Sequence, residues 1–135
     1  MKKAALFFLT AWLPLAAEAA DAIIVAKPAP VLIGNARQGE RIFKSHCAMC
    51  HSLVQNKVGP RLSGVVGRKA GALPDYNYSL SLKKAGLTWD IGTLDHWLAD
   101  PSALVSGTNM LLRLDNPQDR ADIISYLQTV AVPPR

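Results

Sequence analysis

The sequence predicts an all-α domain of three to four helices joined by long loops. Three observations carry this. Apolar residues recur at three- and four-residue spacing in segments that open on helix-capping residues. Glycine and proline interrupt the middle of the chain at short intervals, at Gly59, Pro60, Gly64, Gly67, Gly71 and Pro74. No period-two alternation marks a strand in the core region. The 135 residues are half apolar, enough for a single domain.

Lys2 and Lys3 precede an apolar run from Ala4 to Ala17, and Ala17-Glu18-Ala19 fits a small-residue cleavage pattern. Residues 1–19 are therefore predicted to be an export signal, cut after Ala19. The run is short for a membrane span and contains Pro14, so no membrane anchor is expected after cleavage; an uncleaved anchor is the alternative. Residues 20–34 follow as a proline-containing arm, in which Lys27-Pro28-Ala29-Pro30 favours extended backbone. Ile23-Ile24-Val25 and Val31-Leu32-Ile33 are its apolar patches, suited to packing on the domain or to a short edge strand. The domain itself is assigned to residues 35–132.

A first helix is expected to open at Asn35, with Gln38 completing a capping box, and to run to near Cys50. Gly39, Ile42, Phe43 and His46 share its face. A short helix from Ser79 to Ala85 stops at Gly86. Another from Thr93 to Ala99 takes Thr93 as its N-cap and ends at Asp100, before Pro101. The last helix has Asn116 as cap, Pro117 at its first position and Asp119 at its positive end. Ile123, Tyr126, Leu127 and Val130 form its apolar stripe.

The only two cysteines lie in Cys47-Ala48-Met49-Cys50-His51, the C-x-x-C-H pattern of covalent c-type haem attachment. Two thiols at this spacing can bond both vinyl groups of one porphyrin, and His51 then falls under the iron as an axial ligand. Covalent attachment in bacteria takes place outside the cytoplasm, so the export signal supports the same conclusion. The ring of His51 needs an acceptor for its second nitrogen, and the carbonyl of Pro60 is the candidate. For the sixth ligand, Met49 sits inside the attachment loop and cannot reach the opposite face, which leaves Met110 in Gly107-Thr108-Asn109-Met110. A methionine–histidine pair suits electron transfer. His96, beside Trp97, is the rival ligand, and His46 a weaker one. Structural zinc would need four ligands, with His51 too near Cys50 for easy closure. Thiol exchange normally comes with a βαβ pattern, which is missing.

Charge narrows the partners. The chain carries +5 overall. Residues 20–135 carry +4, from thirteen basic and nine acidic side chains. No run of Lys and Arg is long enough to argue for nucleic acid.

Over residues 35 to 131 the chain resembles the class I cytochromes c of the mitochondrial and bacterial monohaem type. Gly39 and Phe43 match the N-terminal helix signature, and Cys47, Cys50 and His51 the attachment site. Gly59-Pro60-Arg61-Leu62-Ser63-Gly64 with Gly67-Arg68, Pro101 with Gly107-Thr108-Asn109-Met110, and Arg120 to Leu127 match the loops and terminal helix that follow. The resemblance implies the cytochrome c fold, wrapped around one covalently bound haem c. It also implies that Tyr78 and Trp89 bond a haem propionate and that Arg68 lies near the same group. Departures are visible too. Ser106 replaces a proline, which predicts a less rigid methionine loop. Trp97 stands where a tyrosine often bonds the methionine sulfur, and Leu112 where an aromatic guards the haem edge. The lysine ring of eukaryotic carriers is replaced by His46, Ser102, Ala103 and Asn109, while Lys57, Lys69, Lys83 and Lys84 remain.

The function this implies is periplasmic single-electron transfer between protein partners, with no substrate chemistry of its own. A dehydrogenase or membrane oxidoreductase is the expected donor, and an oxidase or reductase the acceptor. An electron-accepting subunit of an oxidoreductase complex is the second reading. An open-site haem enzyme or sensor, which requires Met110 not to bind, is the third.

Overall fold

Two helices at opposite ends of the sequence cross and pack, and the loops between them build the rest. The computed structural model describes residues 32–130. The predicted signal segment, the predicted arm up to Val31 and the last five residues lie outside this range. Five α-helices follow in order, α1 at Ala36–Ile42, α2 at Leu80–Lys84, α3 at Ile91–Ala99, α4 at Pro101–Leu104 and α5 at Pro117–Thr129. Among the described residues no strand forms, and one antiparallel bridge joins Lys69 to Thr88.

Helix α1 is short because its continuation changes pitch. The Ala48 N–H bonds to the Phe43 carbonyl five residues back, at 2.8 Å, which closes a π turn over Phe43–Cys47. An α-helix advances about 40° beyond a full turn over four residues. The wider π turn removes that drift. Gly39, Phe43 and Cys47 therefore stay on one buried face, while Lys44, Ser45 and His46 face solvent. The single helix expected to near Cys50 is thus an α-helix, a π turn and a turn.

The start of α1 also departs from the predicted capping box. Asn35 Oδ1 accepts the N–H groups of Arg37 and Gln38, at 3.0 and 3.2 Å. The Gln38 side chain does not close the box: the Asn35 N–H instead donates to Asp122 Oδ1 in α5, at 2.8 Å. Asp122 is a buried carboxylate, 6 % exposed, and takes a second bond from Gln118 Nε2 at 2.8 Å. Burying a charge is costly unless it is hydrogen-bonded, and the N-terminal end of a helix is the favourable place for it. Beside this bond Gly39 lies directly on α5, where a Cβ would collide with the Asp122 carbonyl. Phe43 packs on Tyr126 with ring centroids 5.7 Å apart. Ile123, Ile124 and Leu127 are buried at 1, 3 and 5 % exposure; each such side chain contributes about 1.5–3 kcal/mol.

Helix α3 begins earlier than predicted. Asp90, not Thr93, is the N-cap: its Oδ1 accepts the Thr93 N–H at 2.7 Å, so Ile91 and Gly92 join the helix and Thr93 becomes the residue that is capped. Proline 101 ends α3 as expected and then starts α4. Asp100 is extended there and caps the N–H groups of Ser102 and Ala103, both at 3.1 Å. Proline at the first helical position loses no bond. Ser79 caps α2, Asn116 caps α5, and Gly86, at φ +66°, stops the turn after α2. Within the arm, the Ile33 carbonyl accepts from Gln118 Nε2 at 3.0 Å. Ile33 itself remains 86 % exposed and Leu32 and Ile33 form no strand; the rest of the two apolar patches lies outside the described residues.

The Asp90 cap gives a signed pH dependence. The Thr93 N–H bond, the largest cause, holds the Asp90 carboxyl below its usual 3.8. A folded-state value below the unfolded one means the cap contributes fully above the unfolded value and is lost as pH falls through the folded one. Thermal melts of the holoprotein between about pH 4 and pH 2 should show a steeper fall for wild type than for Asp90→Asn, which keeps an acceptor that does not titrate. Asp90→Ala should melt lower than wild type at pH 7.

Candidate functional site

Helix α1 and its π turn deliver Cys47 to the core and leave the chain to fold back at once. The N–H groups of Cys50 and His51 both bond to the Cys47 carbonyl, at 3.1 and 2.8 Å. No disulfide joins the two cysteines, with Cys47 buried and Cys50 half-buried. Burial, then the neighbouring Cys50, pushes the unmodified Cys47 thiol up to about 11. Among the described residues no set of three His, Cys, Asp or Glu side chains gathers as a metal would require.

His51 is oriented by the loop that follows. Gly59 N–H bonds to the Cys50 carbonyl at 2.7 Å and brings the chain back over the ring. The carbonyl of Pro60 lies 2.7 Å from His51 Nδ1. A carbonyl can only accept, so Nδ1 carries the proton and Nε2 keeps its lone pair. Burial lowers the His51 pKa, only partly offset by the Pro60 bond, which favours the neutral ring. Gly59 is glycine for space: a Cβ there would strike the imidazole.

Met110 is brought to α3 from the other side. Leu114 N–H bonds to the Leu98 carbonyl at 2.8 Å and lays the 110–114 segment along that helix. The Trp97 indole N–H points at the Met110 sulfur, 3.1 Å away. The turn before it is closed by Thr108 N–H to the Val105 carbonyl at 3.2 Å, with Gly107 at φ +80° against Ser81. These contacts hold the loop where Ser106 replaces proline.

Trp97 also packs edge-on against Trp89, with centroids 5.1 Å apart. Cys47, Tyr78, Trp89 and Trp97 belong to one buried cluster, and Met110 packs on it. The backbone sets this up: Gly67 N–H bonds to the Trp89 carbonyl and Trp89 N–H to the Arg68 carbonyl, both at 2.9 Å. Arg68 lies half-buried, donating to the carbonyls of Ser63 and Arg61 at 3.0 Å each. Burial lowers its pKa and raises that of Tyr78. The rival histidines stay outside: His96 is exposed on α3, and His46 is exposed and bonded to Ser45 Oγ. Lys57, counted among the remaining surface charges, bonds through Nζ to the Ala48 carbonyl. Sequence reasoning missed Asn56, Asp75 and Tyr76, which hold the loop around Pro60; no local pattern pairs residues so far apart.

Two thiols three residues apart beside a neutral imidazole, with a thioether on the same buried cluster, suit a covalently bound haem. Together with an all-helical, loop-rich fold they define a c-type haem protein. The family model for cytochrome c matches residues 36–131. Cytochrome c2 of Rhodomicrobium vannielii is 48% identical over 100 residues, which cover 71% of this chain and 79% of that protein. Cytochrome c of Sesamum indicum is 40% identical over 99 residues, covering 70% and 89%. The solved structure of cytochrome cH from Methylobacterium extorquens superposes with a TM-score of 0.68 at 48% identity, covering 71% of this chain and 99% of that one. The chain belongs to the cytochrome c family. It is an electron carrier and not an enzyme, it has protein redox partners, and it carries haem c covalently on Cys47 and Cys50.

Covalent attachment has a direct check. Acidic acetone should extract no haem from the wild-type holoprotein. Cys50→Ala should retain haem through Cys47 alone, seen as a shifted reduced pyridine spectrum with one vinyl group unsaturated. Replacing both cysteines should release all of it.

Proposed function

We propose that the protein is a periplasmic carrier whose iron is held by His51 and Met110. The observation that carries this is the pair of second-layer bonds, Pro60 to His51 Nδ1 and Trp97 to the Met110 sulfur. Each leaves a lone pair, on Nε2 and on the thioether, free to bind a metal. The bound haem supplies one iron that cycles between the ferric and ferrous states. The chain keeps both ligands in place and excludes water. The half-buried guanidinium of Arg68 and the Tyr78 and Trp89 donors in the same cluster are assigned to a propionate, because a buried carboxylate needs such partners. Trp97 replaces a phenol by an indole, which donates and never titrates, so the sulfur keeps its hydrogen bond at any pH.

Periplasmic location follows from the signal pattern of residues 1–19 and from a cofactor attached outside the cytoplasm. Among the described residues no helix is long and apolar enough to cross a membrane. The exported protein should have the intact mass of residues 20–135 plus one haem.

Two measurements test the ligands. The far-red sulfur-to-iron band of the ferric protein should be present in wild type and lost in Met110→Ala, whereas its presence in that variant would refute Met110 as a ligand. Trp97→Phe should retain the band but shift it, and should lower the midpoint potential, since an N–H on sulfur withdraws density from the ferric iron.

Docking is expected to be weakly electrostatic. Positions 46, 102, 103 and 109 carry no lysine, and Lys57 is tied to a backbone carbonyl. Electron-transfer rates with a purified periplasmic oxidase or reductase should fall only shallowly with ionic strength. A steep fall would contradict this.

A further inference from the structure

The dipeptide Gly59-Pro60, whose carbonyl orients His51, is gripped from both sides by one distant corner of the chain. On the leading side the Tyr76 hydroxyl donates to the Val58 carbonyl. On the trailing side the Arg61 N–H donates to Asn56 Oδ1 at 3.0 Å, and Asn56 Nδ2 donates in turn to the Asp75 carbonyl at 2.9 Å. The Arg61 guanidinium then pairs with the Asp75 carboxylate. Residues 75 and 76 thus hold residues 58 and 61, with only Gly59 and Pro60 between them.

There is no slack between that dipeptide and the ring. A Cβ on Gly59 would strike the imidazole, so backbone and ring are already in contact. Any displacement of the dipeptide alters the 2.7 Å bond from His51 Nδ1. The grip also extends beyond the loop. Tyr76 packs edge-on against Tyr78, with centroids 4.8 Å apart, and the Arg61 carbonyl accepts from Arg68.

We propose that Tyr76 and Asn56 are positioning residues for the proximal histidine, and that by clasping Gly59-Pro60 they set the strength of the His51–Pro60 hydrogen bond. The inference rests on the assignment of His51 as an iron ligand. A strong acceptor on Nδ1 increases the basicity of the imidazole, and a more basic ligand favours the ferric state. Loosening the clasp weakens that bond and favours the ferrous state. An ordinary loop contact would affect stability and leave the iron untouched.

The test uses the holoprotein. Tyr76→Phe removes the bond to Val58, and Asn56→Ala removes both the acceptor of the Arg61 N–H and the donor to the Asp75 carbonyl. Lys44→Ala, which breaks an exposed pair on α1, is the control. Midpoint potential, ferric electron paramagnetic resonance and melting temperature are measured on all three and on the double variant. Each clasp variant should raise the ferrous-to-ferric ratio at fixed solution potential roughly two- to five-fold, about 20–40 mV at about 59 mV per tenfold. Its ferric g-values should shift while the far-red band persists. The double variant should show less than the sum of the two, because both act on one dipeptide. A lower melting temperature with unchanged potential and g-values, as in the control, would overturn the proposal. So would a fall in potential. A wild-type ferric spectrum without low-spin histidine character would refute the ligand assignment itself and remove the proposal with it.

Discussion

The contact between Gly39 in α1 and the Asp122 turn of α5 is the constraint from which the rest of the molecule is built. Backbone lies against backbone there, which only glycine permits. The Asp122 carboxylate closes the gap by taking the first N–H of the incoming helix, 87 residues away in sequence. Closing so long a loop costs chain entropy that grows only slowly with length. Apolar burial by Phe43, Ile123, Ile124 and Leu127 offsets it. Once the two helices are crossed, the direction of the chain leaving Cys47 is set.

That direction matters because the thiols, the imidazole and the loop that orients it all lie between Cys47 and Pro60. The π turn keeps Cys47 in phase with Gly39 and Phe43 over a span in which a regular α-helix drifts around its axis. A wide turn gives up some regular helical geometry, and here it places one sulfur in the core and leaves the next turn free to reverse. The reversal is then held by backbone bonds from Gly59 to Cys50, Leu62 to Ser52 and Ser63 to Leu53. The methionine side is built differently, from a turn at Gly107 and a segment laid along α3. His51 is therefore held by local backbone and Met110 by an indole on a helix.

The exposed ion pairs contribute little to this. Lys44–Glu40 and Arg113–Asp100 are solvent-facing and screened. Arg120 differs, since its side chain is 13% exposed and it ties Asp95 of α3 to the carbonyls of Leu114 and Asp115 that lead into α5. It holds the terminal helix against α3, and hence the strand-like stretch carrying Met110 against Trp97.

Much of this was legible in the chain. The capping signals at Asn116 and Ser79, the stop at Gly86 and the Pro101 boundary are local, and local signals survive folding because they act through the nearest backbone groups. The attachment motif was legible for the same reason, and so was Pro60, which lies close enough in sequence to reach His51. Thr93 was misassigned as the cap of α3 because Asp90 and Thr93 are both capable caps three residues apart, and the Asp90 carboxylate takes the Thr93 N–H. The π turn has no sequence signature of its own; it arises because Cys47 must share a face with Gly39. Asn56, Asp75 and Tyr76 were illegible because their bonds join loops with no periodic pattern. What the residues determined alone was the cofactor chemistry and the caps at Ser79 and Asn116, both of which depend on neighbours a few positions apart. What tertiary structure decided was which carbonyl, which indole and which carboxylate meet across the fold, because contacts between distant segments exist only after the chain has closed.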